Sequence, residues 1–121
     1  MLSIIERFSL FQVFSIDGGH TPEHVVNDYE IASQVTHPAG FIIVDDVLNA
    51  GWPGVIEGVA RLFLFGRPKF VPLCIGMNKL VSTGLAYHKE YLQFAKQECF
   101  PSRGISHRTA RLFGYDVVAF W

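Results

Sequence analysis

The stretch Phe8–Ile16 is apolar at both odd and even positions. This pattern is typical of a β-strand that is covered on both faces. The strand is expected to stop at Asp17-Gly18-Gly19, which is a turn signal. Thr21 then offers a helix N-cap and Pro22 suits the first helical position, so we expect a helix from Pro22 to about Val35. Its apolar stripe comprises Val25, Val26, Tyr29 and Ala32.

The next segment repeats the order of strand and helix. His37-Pro38-Ala39-Gly40 is expected to end the first helix, and Phe41–Val44 has the pattern of a second buried strand. Pro53 then opens a second helix over Gly54–Phe65. The C-terminal half of the chain starts with a third predicted strand, Phe70–Ile75.

Turn and proline signals shape the rest of the predicted sheet. Pro72 favours an edge position or an irregular start for the third strand. Gly76-Met77-Asn78 is a tight turn, so Lys79–Ser82 is predicted to be a fourth, antiparallel strand. We expect a helix over Leu85–Gln97, an irregular polar segment and a possible last strand over Leu112–Phe120. The irregular segment is predicted at Glu98–Thr109. This order indicates an α/β fold, with right-handed crossovers and helices that cover a mixed sheet.

Length and composition favour a single domain over residues 1–121. A chain of 13.6 kDa has the size of one domain, and with 50% apolar and 17% charged residues it is not expected to be disordered. No apolar run approaches the roughly 18 residues of a membrane span, and the N-terminus does not resemble a secretory signal. Cys74 and Cys99 form neither a disulfide framework nor a zinc signature. We therefore expect a soluble, cytoplasmic protein.

Charge is distributed unevenly between the two halves. Residues 1–60 carry eight acids and one base, whereas residues 61–121 carry nine bases and three acids. This asymmetry is compatible with head-to-tail association or an acidic metal site, but we favour the simpler alternative of two solvated faces of one domain. The net charge of −1 and the lack of aromatic residues among the basic ones argue against a nucleic-acid partner.

Two predicted strands end in acidic residues. Asp17 follows the first strand, and Asp45 and Asp46 follow the second. If these strands are neighbours about 4.8 Å apart, three carboxylates meet at one edge of the sheet. Such a group repels itself unless a cation binds, and Mg²⁺ prefers carboxylates and water. The alternative is that Asp17 caps the turn while Asp45 and Asp46 are solvated.

His20 is the candidate catalytic residue near these acids. It lies three residues after Asp17, where a neutral imidazole can take a proton from a substrate hydroxyl. The alternative is a hydrogen bond within the turn. Gly18-Gly19 lacks the third glycine of a dinucleotide-binding fingerprint. Trp52 either lines a pocket or packs on the helix that follows it.

Several of these segments together resemble class I S-adenosylmethionine-dependent methyltransferases, in particular the C-terminal half of small-molecule O-methyltransferases. The resemblance covers about residues 8–83 and is carried by Ile16–Thr21 (IDGGHT), Asp28, Pro38–Asp46 (PAGFIIVDD) and Trp52–Val55 (WPGV). It implies a Rossmann-like sheet of seven strands with a terminal antiparallel hairpin. Phe8–Ser82 would supply strands four to seven of that sheet.

The resemblance also implies roles for individual residues. Metal-dependent members hold Mg²⁺ with acids at the positions of Asp17, Asp45 and Asp46. Catechol-type members place the base three residues after the first acid, where this chain has His20 instead of a lysine. Ala39 replaces the usual first glycine before the fifth strand, a minor departure.

The family binds S-adenosylmethionine through a glycine-rich loop after its first strand and an acid after its second. Met1–Arg7 contains neither feature. The resemblance therefore implies a truncated methyltransferase-like domain that does not transfer methyl groups alone and forms a homo-oligomer, as a relic or the product of a mobile or rearranged gene. Two alternatives remain: a Mg²⁺-dependent O-methyltransferase for a small hydroxylated substrate whose cofactor half comes from a partner, and a module that binds a small ligand or metal.

The resemblance leaves Phe8–Ile16 without its neighbour in the sheet. Its unpaired edge would be apolar, which invites pairing with another chain. Either Leu112–Phe120 folds back onto this strand, or a second copy pairs with it across a two-fold axis. We favour the dimer, because the helices that would flank the strand are missing too.

Overall fold

The computed structural model describes residues 10–121, which form an α/β fold around one mixed, open sheet. The described chain runs through β1 (Phe11–Ile16), α1 (Pro22–Val35), β2 (Thr36–Asp45), α2 (Pro53–Phe65), β3 (Phe70–Gly76) and β4 (Lys79–Gly84). A helical segment follows, made of a 3₁₀ turn (Leu85–Tyr87), α3 (His88–Phe94), a π-helical turn (Ala95–Cys99) and the short α4 (Phe100–Ser102). The strands β5 (His107–Leu112) and β6 (Tyr115–Phe120) complete the described part.

The six described strands lie in the order β1-β2-β4-β3-β6-β5. β2 runs parallel to β1 and antiparallel to β4, which therefore lies between β2 and β3. β6 runs parallel to β3, and β5 pairs with β6 as an antiparallel hairpin. The predicted mixed sheet and the antiparallel β3–β4 hairpin are confirmed.

Helices cover the sheet on both faces. On one face, α1 and α2 bury an apolar cluster that includes Val25, Tyr29, Ala32, Ile42, Val44, Val59, Leu62 and Leu80. The Tyr29 hydroxyl extends through this cluster and donates to the Phe70 carbonyl oxygen at 3.2 Å and to Ser82 Oγ at 2.8 Å. The helical segment after β4 covers the other face, around Leu73, Cys74, Ala95, Phe100 and Val118.

Two glycines bring the start of α2 close to α1. A Cβ atom on Gly58 would lie 2.8 Å from the Val25 Cβ, and one on Gly54 would collide with the His20 carbonyl oxygen. Only glycine allows this approach without displacing the backbone. The contact places Trp52, which directly precedes α2, beside the turn that holds His20.

Helix α1 matches its prediction, with the Thr21 side chain accepting a hydrogen bond from the His24 N–H at 3.2 Å. Other boundaries differ. β2 begins at Thr36 rather than Phe41, so the segment expected to end the helix is already strand. The segment Glu98–Thr109, predicted to be irregular, contains the π-turn end, α4 and the start of β5.

Of two predicted strand environments, that of Pro72 is confirmed in part and that of β1 is wrong. Pro72 lies in β3, which is an internal strand between β4 and β6. The pairing of β3 with β4 shifts register between Pro72 and Cys74. On its other side, β3 pairs with β6 only over Cys74–Gly76. The predicted irregularity at Pro72 is therefore present, but in an internal strand. β1 is not covered on both faces, because Phe11 and Val13 are 57% and 54% exposed. Phe8 and Ser9 lie outside the described residues.

β1 forms one edge of the described sheet. The C-terminal segment does not cover this edge. Instead of one strand over Leu112–Phe120, the chain forms the β5–β6 hairpin with Phe113 and Gly114 at positive φ, and β6 pairs with β3 near the opposite edge. The proposal that Leu112–Phe120 closes the β1 edge is therefore wrong.

Candidate metal and acid–base site

The structure brings the three predicted acids together at the carboxyl ends of β1 and β2. Asp17 directly follows β1, Asp45 is the last residue of β2, and Asp46 follows it in the left-handed region at φ 63°. One carboxylate oxygen from each residue lies within 4.8 Å of the other two. The parallel register, in which Ile16 pairs with Val44, produces this convergence. We call Asp17, Asp45 and Asp46 the acidic cluster.

Asp45 has a cation beside it. Its Oδ1 accepts hydrogen bonds from Lys79 Nζ at 2.9 Å and from the Asp46 N–H at 2.9 Å. The hydrogen bond from Lys79 is the main reason that the pKa of Asp45 is lowered, and the bond from the Asp46 N–H adds to it. The same contact raises the pKa of Lys79. These two hydrogen bonds therefore stabilise the charged form of Asp45.

Asp46 accepts hydrogen bonds from three side chains. His20 Nε2 lies 3.3 Å from its Oδ2, while the amides of Asn49 and Asn78 donate to Oδ1 at 3.3 and 3.2 Å. Asn78 also fixes the loop after β2, because its Oδ1 accepts from the Leu48 N–H at 2.8 Å. The turn between β3 and β4 thereby orients the Asp46 carboxylate.

The imidazole of His20 is fixed on two sides. It stacks on Trp52 with ring centroids 4.2 Å apart and planes 12° from parallel. Because a carboxylate only accepts hydrogen bonds, Nε2 must carry the proton shared with Asp46. In the neutral ring, Nδ1 then has a free lone pair that can accept a proton from a substrate. Trp52 thus contacts His20 as well as preceding α2.

Close packing, and not dinucleotide binding, explains the glycines at positions 18 and 19. A Cβ on Gly19 would lie 2.6 Å from the His24 ring, and one on Gly18 would lie 3.1 Å from an oxygen of Asp28. The turn after β1 therefore packs closely on the first part of α1. Asp28, which is part of the motif pattern, contacts this turn rather than the acidic cluster.

The donor set fits a hard divalent cation. Oxygens bound to one Mg²⁺ ion are at most about 4.2 Å apart, and those around Ca²⁺ at most about 5.2 Å. The observed limit of 4.8 Å lies within the value for Ca²⁺ and above that for Mg²⁺, so a Mg²⁺ ion, which keeps several of its waters, would be ligated directly by only one or two of the carboxylates. No described residue donates a hydrogen bond to the Asp17 carboxylate, and Asp45 Oδ2 likewise accepts none from them. The cavity beside the cluster has a volume of about 10 Å³, which is enough for one ion or one water.

Sequence reasoning missed Lys79, Asn49 and Asn78. Lys79 appeared only as the first residue of a strand, yet it pairs directly with Asp45 across β2 and β4. An acid that ends one strand and a lysine that begins its antiparallel neighbour form a cross-strand pair. That signal is present in the sequence, but it becomes visible only once β4 is known to lie beside β2.

The fold and the site define a Rossmann-like α/β domain with acidic residues at the carboxyl edge of its sheet. Within this framework, residues 4–47 match a family described as a methyltransferase domain. The matched part contains β1, α1, β2 and the whole acidic cluster, and it ends before Lys79. No curated protein and no solved structure matches the chain significantly. Among the described helices, none is both long and apolar enough to cross a membrane.

Proposed function

We propose that this chain is a methyltransferase-like domain whose acidic cluster binds Mg²⁺, and that it does not transfer methyl groups by itself. One observation carries the proposal: Asp17, Asp45 and Asp46 converge within 4.8 Å inside the segment that matches the methyltransferase family. When bound, the cation would act as a Lewis acid on a substrate hydroxyl.

The residues around the cluster support a role in deprotonation. Nδ1 of His20 would accept the hydroxyl proton, and Asp46 would stabilise the resulting imidazolium through Nε2. Trp52 would keep the ring in place by stacking on it. A small hydroxylated compound is therefore the substrate class that suits the site, if a partner supplies the part of the domain that binds the methyl donor.

We expect that S-adenosylmethionine does not bind the described part of the chain by itself. Drug-sized ligands occupy clefts of roughly 300–1,000 Å³, whereas the cavity beside the acidic cluster measures about 10 Å³. The turn after β1 is also packed against His24 and Asp28. We expect no calorimetric isotherm with S-adenosylmethionine at sub-millimolar concentration. A one-site isotherm for the 121-residue chain would contradict this expectation.

Binding of a divalent cation tests the metal site directly. A ligand present at a hundred times its Kd adds about 2.7 kcal/mol to the free energy of unfolding when it binds the native state alone. Millimolar Mg²⁺ or Mn²⁺ should therefore raise the melting temperature of the wild type. The double variant Asp45→Asn, Asp46→Asn should lose this rise.

The double variant Glu23→Gln, Glu57→Gln is the matched control. It also removes two carboxylates, but from the exposed pairs with Arg61 on α1 and α2. It should keep the metal-dependent rise in full. An unchanged wild-type melting curve with both metals would leave the acidic cluster as solvated loop residues.

We further propose that the chain forms a homodimer through the β1 edge. The support is the terminal position of β1 in the described sheet and the exposure of Phe11 and Val13 beside it. Light scattering after size exclusion should give about 27 kDa, twice the chain mass of 13.6 kDa. A particle of about 14 kDa at micromolar concentration would contradict the dimer.

A further inference from the structure

Lys79 occupies a fixed place beside the acidic cluster. It begins β4 and lies directly opposite Asp45 in the antiparallel ladder with β2. The neighbouring pair, Val44 and Leu80, is buried in the core, so the register cannot slip without exposing both side chains. The strand pairing therefore places the Lys79 side chain beside the cluster.

The charge of Lys79 acts on all three acids. Its Nζ lies 2.9 Å from Asp45 Oδ1. Asp45 contributes most to its raised pKa, and the more distant Asp17 and Asp46 contribute through their charges. The ammonium group thus compensates part of the repulsion that the carboxylates would otherwise exert on one another.

The hydrogen bonds at Asp45 leave no lone pair on Oδ1. This oxygen accepts from Lys79 Nζ and from the Asp46 N–H, and a carboxylate oxygen has two lone-pair sites. A cation that binds Oδ1 must replace one of these donors, whereas a cation that binds Oδ2 lies next to the Lys79 ammonium group, so in both cases the two cations compete for the Asp45 carboxylate. The Asp46 N–H is part of the backbone, whereas the Lys79 side chain is 49% exposed and can move into solvent.

We propose that Lys79 is the built-in counter-ion of the acidic cluster, and that a divalent cation binds there in competition with the Lys79 ammonium group. This inference rests on the proposed metal site and adds the group that regulates it. Lys79 lies outside the segment that matches the methyltransferase family, which ends at residue 47. The group that competes with the cation is therefore supplied by the β3–β4 hairpin and not by the matched segment.

Mn²⁺ binding, measured by electron paramagnetic resonance of the free ion, tests the competition. Lys79→Met removes the charge and should lower the Kd for Mn²⁺ about five-fold, the upper range for a half-exposed ion pair. Lys79→Arg retains the charge and should bind like the wild type. Lys69→Met removes an exposed lysine outside the cluster and should also leave the Kd unchanged.

The outcomes separate this inference from the metal site. Equal Kd values for the wild type and Lys79→Met would overturn the competition while leaving the metal site intact. No Mn²⁺ binding by any variant would reject both. The counter-ion role then has its own test without metal: Asp45→Asn should lower the melting temperature less in the Lys79→Met background than in the wild type. If Asp45→Asn lowers the melting temperature equally in the wild-type and Lys79→Met backgrounds, the counter-ion role is overturned. Lys69→Met is the control background: there Asp45→Asn should lower the melting temperature as much as in the wild type, and a smaller loss would also overturn the counter-ion role.

Discussion

The two edges of the described sheet differ in how well they are protected against pairing with other chains. β5, at one edge, has the sequence HRTARL and carries Arg108 and Arg111, both exposed. β1, at the other edge, has the sequence FQVFSI, with no charged residue and no proline. Phe11 and Val13 expose more than half of their surface there.

Charged residues on an edge strand are a common protection against association through the backbone. The β5 edge has this protection and therefore has the properties of a permanent edge. The β1 edge lacks such charged residues. An open groove of about 400 Å³ also lies beside β1, between Leu10 and Phe41. An uncharged, apolar edge of this kind is typical of a strand that pairs with another strand.

The backbone of β1 has donors available for such pairing. The carbonyl oxygen of Gln12 points toward Gly40 of β2, so closely that a Cβ on Gly40 would collide with it. Successive residues of a strand direct their backbone groups to opposite sides. The N–H of Val13 therefore points away from β2, toward the open edge.

The largest expected effect comes from removing that donor. Val13→Pro eliminates an edge N–H without breaking the ladder to β2, so the proposed dimer should dissociate. Light scattering should show the mass per particle fall from about 27 to about 14 kDa, given a chain of 13.6 kDa. A Val13→Pro variant that stays dimeric would assign the interface to another surface.

Removing the protection of the β5 edge should produce a second, smaller effect. In the double variant Arg108→Val, Arg111→Val, this edge becomes as apolar as β1, so the chain acquires a second site for strand pairing. We expect assemblies larger than a dimer at high micromolar concentration in sedimentation velocity. A variant that remains at the wild-type mass would show that charge is not what protects β5.

Glycine substitutions compare how tightly the two edge strands are held. Gly40→Ala places a methyl group against Gln12 of β1 and should lower the free energy of unfolding by about 1–3 kcal/mol. Gly114→Ala, in the β5–β6 turn at φ 86°, meets no neighbouring atom and costs only the left-handed conformation, about 1 kcal/mol. Urea titrations of both variants measure the difference. Equal losses would mean that β1 adjusts around the added methyl group.

The smallest effect is expected from the ion pair at the β5 edge. Arg111 Nη1 contacts Asp116 Oδ1 at 3.0 Å, with both side chains more than half exposed. Exposed pairs of this kind contribute less than about 1 kcal/mol to stability. Asp116→Asn should therefore shift the urea midpoint only slightly, and a shift larger than that of Gly114→Ala would contradict this ranking.

The sequence was most informative where local signals and burial agree. Thr21 and Pro22 define the start of α1, and Asp17 and Asp45 could be placed together because parallel neighbours end at the same edge. The turn at Phe113-Gly114 was missed, because Phe113 at φ 51° is an unusual residue for a left-handed position. The early start of β2 was missed because Pro38 and Gly40 are signals for a turn.

The partners of the acidic cluster could not be predicted for a different reason. Lys79 and Asn78 reach Asp45 and Asp46 only because β4 inserts between β2 and β3. That order joins residues more than thirty positions apart and depends on the packing of the whole sheet. Local patterns specify elements, whereas the order of strands decides which polar side chains meet.

The pairing of β3 with β6 has a consequence for biosynthesis. Cys74 of β3 pairs with Val118 of β6, which the ribosome adds 44 residues later. At a synthesis rate of about 5–20 residues per second, the edge of β3 that pairs with β6 stays unpaired for roughly 2–9 seconds. During that interval an apolar strand is open in the nascent chain. Chaperone binding and co-translational aggregation should therefore depend on how quickly the last strand is made.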